Sequence, residues 1–217
     1  MSLFQLRQTM DILAILLTLI AWWRIPPPRD RAFGMLAAIA LLALATEVVG
    51  AVCASRLVNN SILYNAFSWA EFIGVLALIY LHDARWRPWL LLGGGVGTAG
   101  AAWCAWTNDP FTFLLTEGIL IMALITALLT LAVLWRMART STVPLHRVPE
   151  FWLFMGLLVY FGGLTPVVGV IHYVFTDDQR LAHRLWSIMP LLCVLRYLLA
   201  AFACVLKARE ARTGAHG

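Results

Sequence analysis

The chain has 217 residues, of which 62% are hydrophobic and 12% charged, with a mean hydropathy of +0.83 and a net charge of +5. That composition excludes a water-soluble domain, and the length allows seven or eight helical crossings of roughly 30 Å at about 20 residues each. The positive charge sits in short clusters beside apolar runs and forms no continuous basic face, so it speaks for membrane topology and against nucleic acid as a partner.

Seven apolar segments are predicted in chain order, at about 8–25, 32–57, 62–84, 89–108, 113–138, 151–175 and 183–206. They form one seven-helix transmembrane domain over residues 1–210, with a short cytoplasmic tail at 211–217. Arg7 precedes the first segment as in a signal peptide, but Trp22, Trp23 and Arg24 stand where a small-residue cleavage site is needed, so the segment is kept as a span. Pro26-Pro27-Pro28 ends it, since consecutive prolines remove backbone donors. Val58-Asn59-Asn60-Ser61, Asn108-Asp109-Pro110 and Thr176-Asp177-Asp178 break the chain in the same manner. The segments are too long and too weakly alternating for strands of a closed barrel. Gly93 and Gly97 in the fourth segment have the spacing that lets two helices approach closely, for packing or for a homodimer face.

Lys and Arg are divided unequally between the two ends of these segments. Arg24, Arg29, Arg31, Arg85, Arg87, Arg136, Arg139, Arg147, Lys207, Arg209 and Arg212 fall on one side, eleven against Arg7, Arg56, Arg180 and Arg184 on the other. The positive-inside rule makes the richer side cytoplasmic, with the N-terminus outside and the C-terminus inside, in the inner (cytoplasmic) membrane of a cell. Trp22, Trp23, Trp86, Trp89, Trp106, Trp135 and Trp152 then lie at helix ends, where indoles favour the headgroup region.

Ionisable groups at membrane depth cost about 2.5–3.5 kcal/mol each for Arg, Lys and Asp, which makes those present the candidate site. Arg196 lies near the middle of the last segment and requires an anionic partner, for which Glu47 and Glu71 are both within reach. Gly50, Ala51 and Ala54 leave space on the face of Glu47, and Asn65, Ser68 and Glu71 step by three to give the third helix a polar stripe. Asp11, Glu117 and His172 are read as lying near the outer surface, with Thr165 and His172 on one face of the sixth helix beside Pro166. The expected ligand-binding set is thus Glu47, Asn65, Ser68, Glu71, Glu117, Thr165, His172 and Arg196, lining an outward-facing pocket of spans two, three, five, six and seven. Acids outnumber Arg196, so the surplus must be protonated, hydrated or bound to a cation. The plainer alternative is a structural Arg–Glu pair that fixes helix packing.

No catalytic residue and no cofactor is assigned. His172, Asp177, Asp178 and His183 could approach a divalent ion, but no HExxH or HxxxH pair accompanies them and no metal site is expected. The cysteines Cys53, Cys104, Cys193 and Cys204 lie in apolar segments without CxxC spacing and read as buried thiols. Lys207, the sole lysine, lies too near the cytoplasmic end of its segment to carry a mid-membrane retinal Schiff base.

Leu63-Tyr64-Asn65-Ala66-Phe67 with Glu71-Phe72, the run Phe151 to Phe161, and the isolated Glu47 resemble bacterial seven-helix orphan membrane proteins and the sensor modules that precede membrane histidine kinases. The resemblance implies a receptor-like sensor. The chain departs from the fused forms in ending soon after Lys207, so output would pass to a partner protein. The expected function is a sensory module for a small molecule or ion in the lipid bilayer. A small solute or proton-coupled transporter is the alternative, and a membrane-embedded lipid-modifying enzyme the third.

Overall fold

The computed structural model describes residues 3–177 and 188–214, with side chains over 8–170 and 188–213. It is all-helical: among the described residues there are seven α-helices and no strand. The helices are α1 (Leu3–Trp23), α2 (Arg31–Ser55), α3 (Ser61–His82), α4 (Arg87–Thr107), α5 (Thr116–Thr140), α6 (Pro149–Asp177) and α7 (Ile188–Gly214).

Local chemistry sets the helix boundaries. Asp30 caps α2 by accepting the Ala32 N–H at 2.7 Å, and Asn59 accepts the Ser61 N–H at 2.8 Å where α3 begins. Pro88 and Pro149 stand in the first turns of α4 and α6, where a missing N–H costs nothing. Pro166 lies inside α6 and removes one donor from its ladder.

The helices close on themselves. α1 packs between α2 and α7, α7 between α1 and α6, and α6 between α5 and α7; α3 contacts α2 and α5, and α4 leans on α3 and α5 from outside. Small residues set the closest approaches. A methyl group at Gly97 would stand 2.5 Å from the Phe72 ring, and one at Gly156 would stand 3.0 Å from the Arg196 carbonyl, so α4 seats on α3 and α7 on α6 at these points. Gly93 faces Ile125 and Leu129 of α5. Both members of the Gly93/Gly97 spacing are therefore engaged within the chain.

The core runs through the bundle and is densest toward its arginine-rich end, where Phe33, Leu36, Leu78, Ile79, Phe154 and Leu157 are fully buried. The outside is apolar as well. Leu124, Leu128, Leu131 and Trp135 form an exposed stripe on α5, as do Leu191, Leu195, Leu198 and Phe202 on α7. Water would not tolerate such stripes, whereas lipid requires them. Five helices, α2, α3, α5, α6 and α7, are long and apolar enough to cross a membrane, and α1 carries a shorter apolar stretch at Gln8–Trp23. The fold is that of a multi-pass helical membrane protein. Where the sequence predicts seven comparable spans, α4 falls short of the other helices because its glycines and tryptophans contribute little apolar character.

Candidate functional site

Arg196 and Glu71 meet in the bundle interior, joining α7 to α3 across a ring in which neither is the other's main neighbour. One guanidinium nitrogen, Nη1, donates to Glu71 Oε1 at 2.5 Å, and the side chains are only 3% and 5% exposed. Of the two glutamates within reach of Arg196 by sequence, Glu71 is the one that pairs. The guanidinium carbon lies 4.8 Å from the Tyr160 ring centroid, 5.1 Å from Tyr197 and 5.4 Å from Phe161, so aromatic faces complete the enclosure. The second nitrogen, Nη2, is buried without a hydrogen-bond partner. A buried unpaired donor costs about 1–3 kcal/mol, more for a charged group.

A second cluster lies toward the end of the bundle opposite the arginines. Asp11 of α1 is 8% exposed, and its Oδ1 is buried with no partner. Cys193 of α7 hydrogen-bonds the Asp11 carboxyl, and Glu47 of α2 is close enough to couple electrostatically with it. Gln8 Nε2 donates to the Glu47 backbone carbonyl at 3.3 Å, and the Gln8 amide and Tyr64 hydroxyl stand beside the Glu47 carboxylate. Gly50, one turn from Glu47, admits Tyr64: a methyl group there would stand 2.6 Å from the tyrosine hydroxyl. Neither Asp11 nor Glu47 belongs to an ion pair among the described residues. Two neighbouring carboxylates in low dielectric cannot both stay charged without a proton or cation to share.

The remaining residues of the expected set are engaged elsewhere. The Asn65 amide donates to the Pro110 and Phe113 carbonyls, both at 2.9 Å, and accepts the Leu115 N–H at 2.9 Å, which clamps the α4–α5 loop over the start of α3. Ser68 and Thr165 bond back to Tyr64 and Phe161 one turn earlier, as hydroxyls in helices often do. Glu117 is exposed in the first turn of α5, where the helix dipole favours an acid, and its Oε2 accepts from the Cys104 thiol at 4.0 Å. The backbone of His172 belongs to α6, but its side chain, with Asp178, Arg180, His183 and Arg184, lies outside the described residues. The converging polar groups thus come from α1, α2, α3, α6 and α7.

The ligand-binding set expected from the sequence leaves out Asp11, read as a shallow acid, Cys193, read as a packing thiol, and Gln8, Tyr64, Tyr160 and Tyr197. Asp11 lies deeper than the sequence places it: α1 begins at Leu3, about five residues before the expected start, which carries Asp11 about two turns inside the helix. The tyrosines bear no mark in the sequence that separates them from packing aromatics.

The α4–α5 loop is ordered by its own polar contacts. Asp109 accepts the Thr112 hydroxyl at 2.5 Å and the Phe111 N–H at 3.0 Å, and these bonds hold its carboxyl below the usual carboxylate range. Asn59 and Ser61 reach the Thr112 carbonyl from the α2–α3 side.

Comparison of the chain with protein-family models, with curated proteins and with solved structures gives no match.

Proposed function

We propose that the chain is a seven-span protein of the cytoplasmic membrane, N-terminus outside and C-terminus inside, that acts as a receptor-like sensory module for a small cation or a proton. The observation that carries the proposal is the unneutralised pair of carboxylates, Asp11 and Glu47, beside an Arg196–Glu71 pair that is already balanced. Four helices contribute to this cluster through Asp11 and Gln8, Glu47, Tyr64 and Cys193, so occupation there biases how α1, α2, α3 and α7 sit together. Output passes to a partner protein or a second copy at the arginine-rich face.

A proton-coupled carrier is the second reading. It requires a polar route through the other half of the bundle, where Phe33, Leu78, Ile79 and Phe154 fill the interior. That filling favours sensing.

The test is binding of ammonium and methylated ammonium ions of graded size to the protein in neutral-lipid nanodiscs, read as a shift of the unfolding midpoint across a range of pH. At least one cation, or protonation itself, raises the midpoint in the wild type and in Glu117→Gln but not in Glu47→Gln or Asp11→Asn. A panel in which neither cation nor pH distinguishes wild type from Glu47→Gln and Asp11→Asn overturns the proposal.

A further inference from the structure

The arginine-rich end carries a groove that the outer cluster does not explain. Two adjoining cavities of about 400 Å³ each share Arg85, Trp86, Arg136 and Thr140 and run between the α3–α4 turn and the last turns of α5. From these cavities the geometry points to a binding site for the phosphate headgroup of an anionic membrane lipid.

Charge is the first argument. Arg85, Arg136 and Arg139 line the groove against one carboxylate, Asp83, which holds Arg136 at 3.0 Å. Arg85 is exposed with no ion-pair partner among the described residues, and Arg139 only stacks on Trp135 at 4.7 Å. Two other cations at this end are engaged: Arg29 donates to the Ile25 and Trp23 carbonyls and covers Trp22, while Lys207 pairs with Glu150 and Glu210. The guanidinium groups of Arg85 and Arg139 thus stand along one cavity without a counter-charge among the described residues, and such groups can grip phosphate oxygens in pairs.

The second argument is the shape of the apolar lining. Trp89 and Trp135 stand exposed beside the arginines, at the level where indoles meet headgroups. Below them the exposed stripe of Leu131, Leu128 and Leu124 on α5 continues along the outside of the bundle, beside Leu92 of α4. A phosphate in the groove can thus carry an acyl chain down an apolar track, which a free phosphate would leave empty. Basic pockets between helices on the cytoplasmic side are suited to anionic headgroups.

The site rests on the membrane reading of the fold and is independent of the cation site at the other end. Its test compares the double substitution Arg85→Gln with Arg139→Gln against Arg209→Gln with Arg212→Gln, which removes the same charge from the exposed tail end of α7. Neither groove residue makes an ion pair, so both doubles should fold as the wild type. Each protein is placed in nanodiscs of phosphatidylcholine with a minor fraction of phosphatidylglycerol, and the retained lipids are counted by native mass spectrometry. Quenching of tryptophan by brominated phosphatidylglycerol gives a second reading. The groove double loses roughly tenfold or more of the preference for the anionic lipid, and the tail double keeps it. Equal loss in both doubles would mean diffuse attraction to a basic surface and would overturn the site, as would no loss in either. Inorganic phosphate is the remaining arm: if it binds in pure phosphatidylcholine with the same dependence on Arg85 and Arg139 while phosphatidylglycerol is not retained, the occupant is not a lipid. Midpoint shifts with cations at the outer cluster should be the same in both doubles.

Discussion

The Arg196–Glu71 pair shows how few side chains decide the character of the bundle interior. Removing one partner of a buried pair strands the other charge and costs about 3–5 kcal/mol, so Glu71→Ala and Arg196→Ala should each lower unfolding stability in detergent by about that amount. Arg212→Ala, in the exposed last turn of α7, should change it by less than about 0.5 kcal/mol. Glu71→Leu combined with Arg196→Met should recover most of the loss, because apolar residues of similar volume often replace a buried pair at little cost. If the double variant is no better than the singles, the pair is not the source of the effect. Tyr64 allows a subtler experiment. Gly50→Ala presses on the tip of the tyrosine, which can swing away, so the substitution should leave stability within about 1 kcal/mol while detaching the hydroxyl from Glu47. Cation or proton response should then fall without loss of fold, measured by the same midpoint shifts; an unchanged response would separate Tyr64 from the site. The need of Arg196 for an acid is legible in the sequence, because a lone charge in an apolar run is costly. The choice between Glu47 and Glu71 is not, since both lie at similar depth and the order of helices around the ring decides it.

At the scale of elements, α6 and α7 depend on Gly156. A side chain there would press on the Arg196 backbone rather than on a flexible tip, so Gly156→Val should force the helices apart and cost about 1–3 kcal/mol, measured by chemical unfolding. Tolerance of valine at wild-type stability would refute that packing. The α4–α5 loop should respond to pH. The folded state holds the Asp109 carboxyl below its ordinary range, so the stabilisation is present at neutral pH and fades as pH falls through the carboxylate range and below. Amide resonances of Phe111 and Thr112 should therefore differ between wild type and Asp109→Asn at neutral pH and converge in acid; a difference that persists in strong acid would exclude this anchor. Helix positions are read well from the sequence because apolar runs of about 20 residues and proline breaks are strong signals. The task of Asn65 is not legible: periodicity gives the face of α3 on which it stands, but not that the loop from Pro110 to Leu115 folds over that face.

The whole molecule has a directional charge pattern, and its orientation is open to direct test. Cysteine at Asn59 should react with an impermeant reagent added outside intact cells, and cysteine at Arg139 should react only after the membrane is opened. The reverse pattern would invert the topology and with it the side from which the acid pair is reached. Closure of the ring has a further consequence for how the protein is made. Thr18 of α1 donates to the Tyr197 carbonyl of α7 at 2.8 Å, a contact between residues 179 positions apart. α1 is made before α7 and does not meet this closing partner until α2 to α6 have been synthesised. Until then Asp11 lacks Cys193, and Glu71 lacks Arg196. The finished bundle therefore differs from the unfinished one by a charge neutralised in its interior.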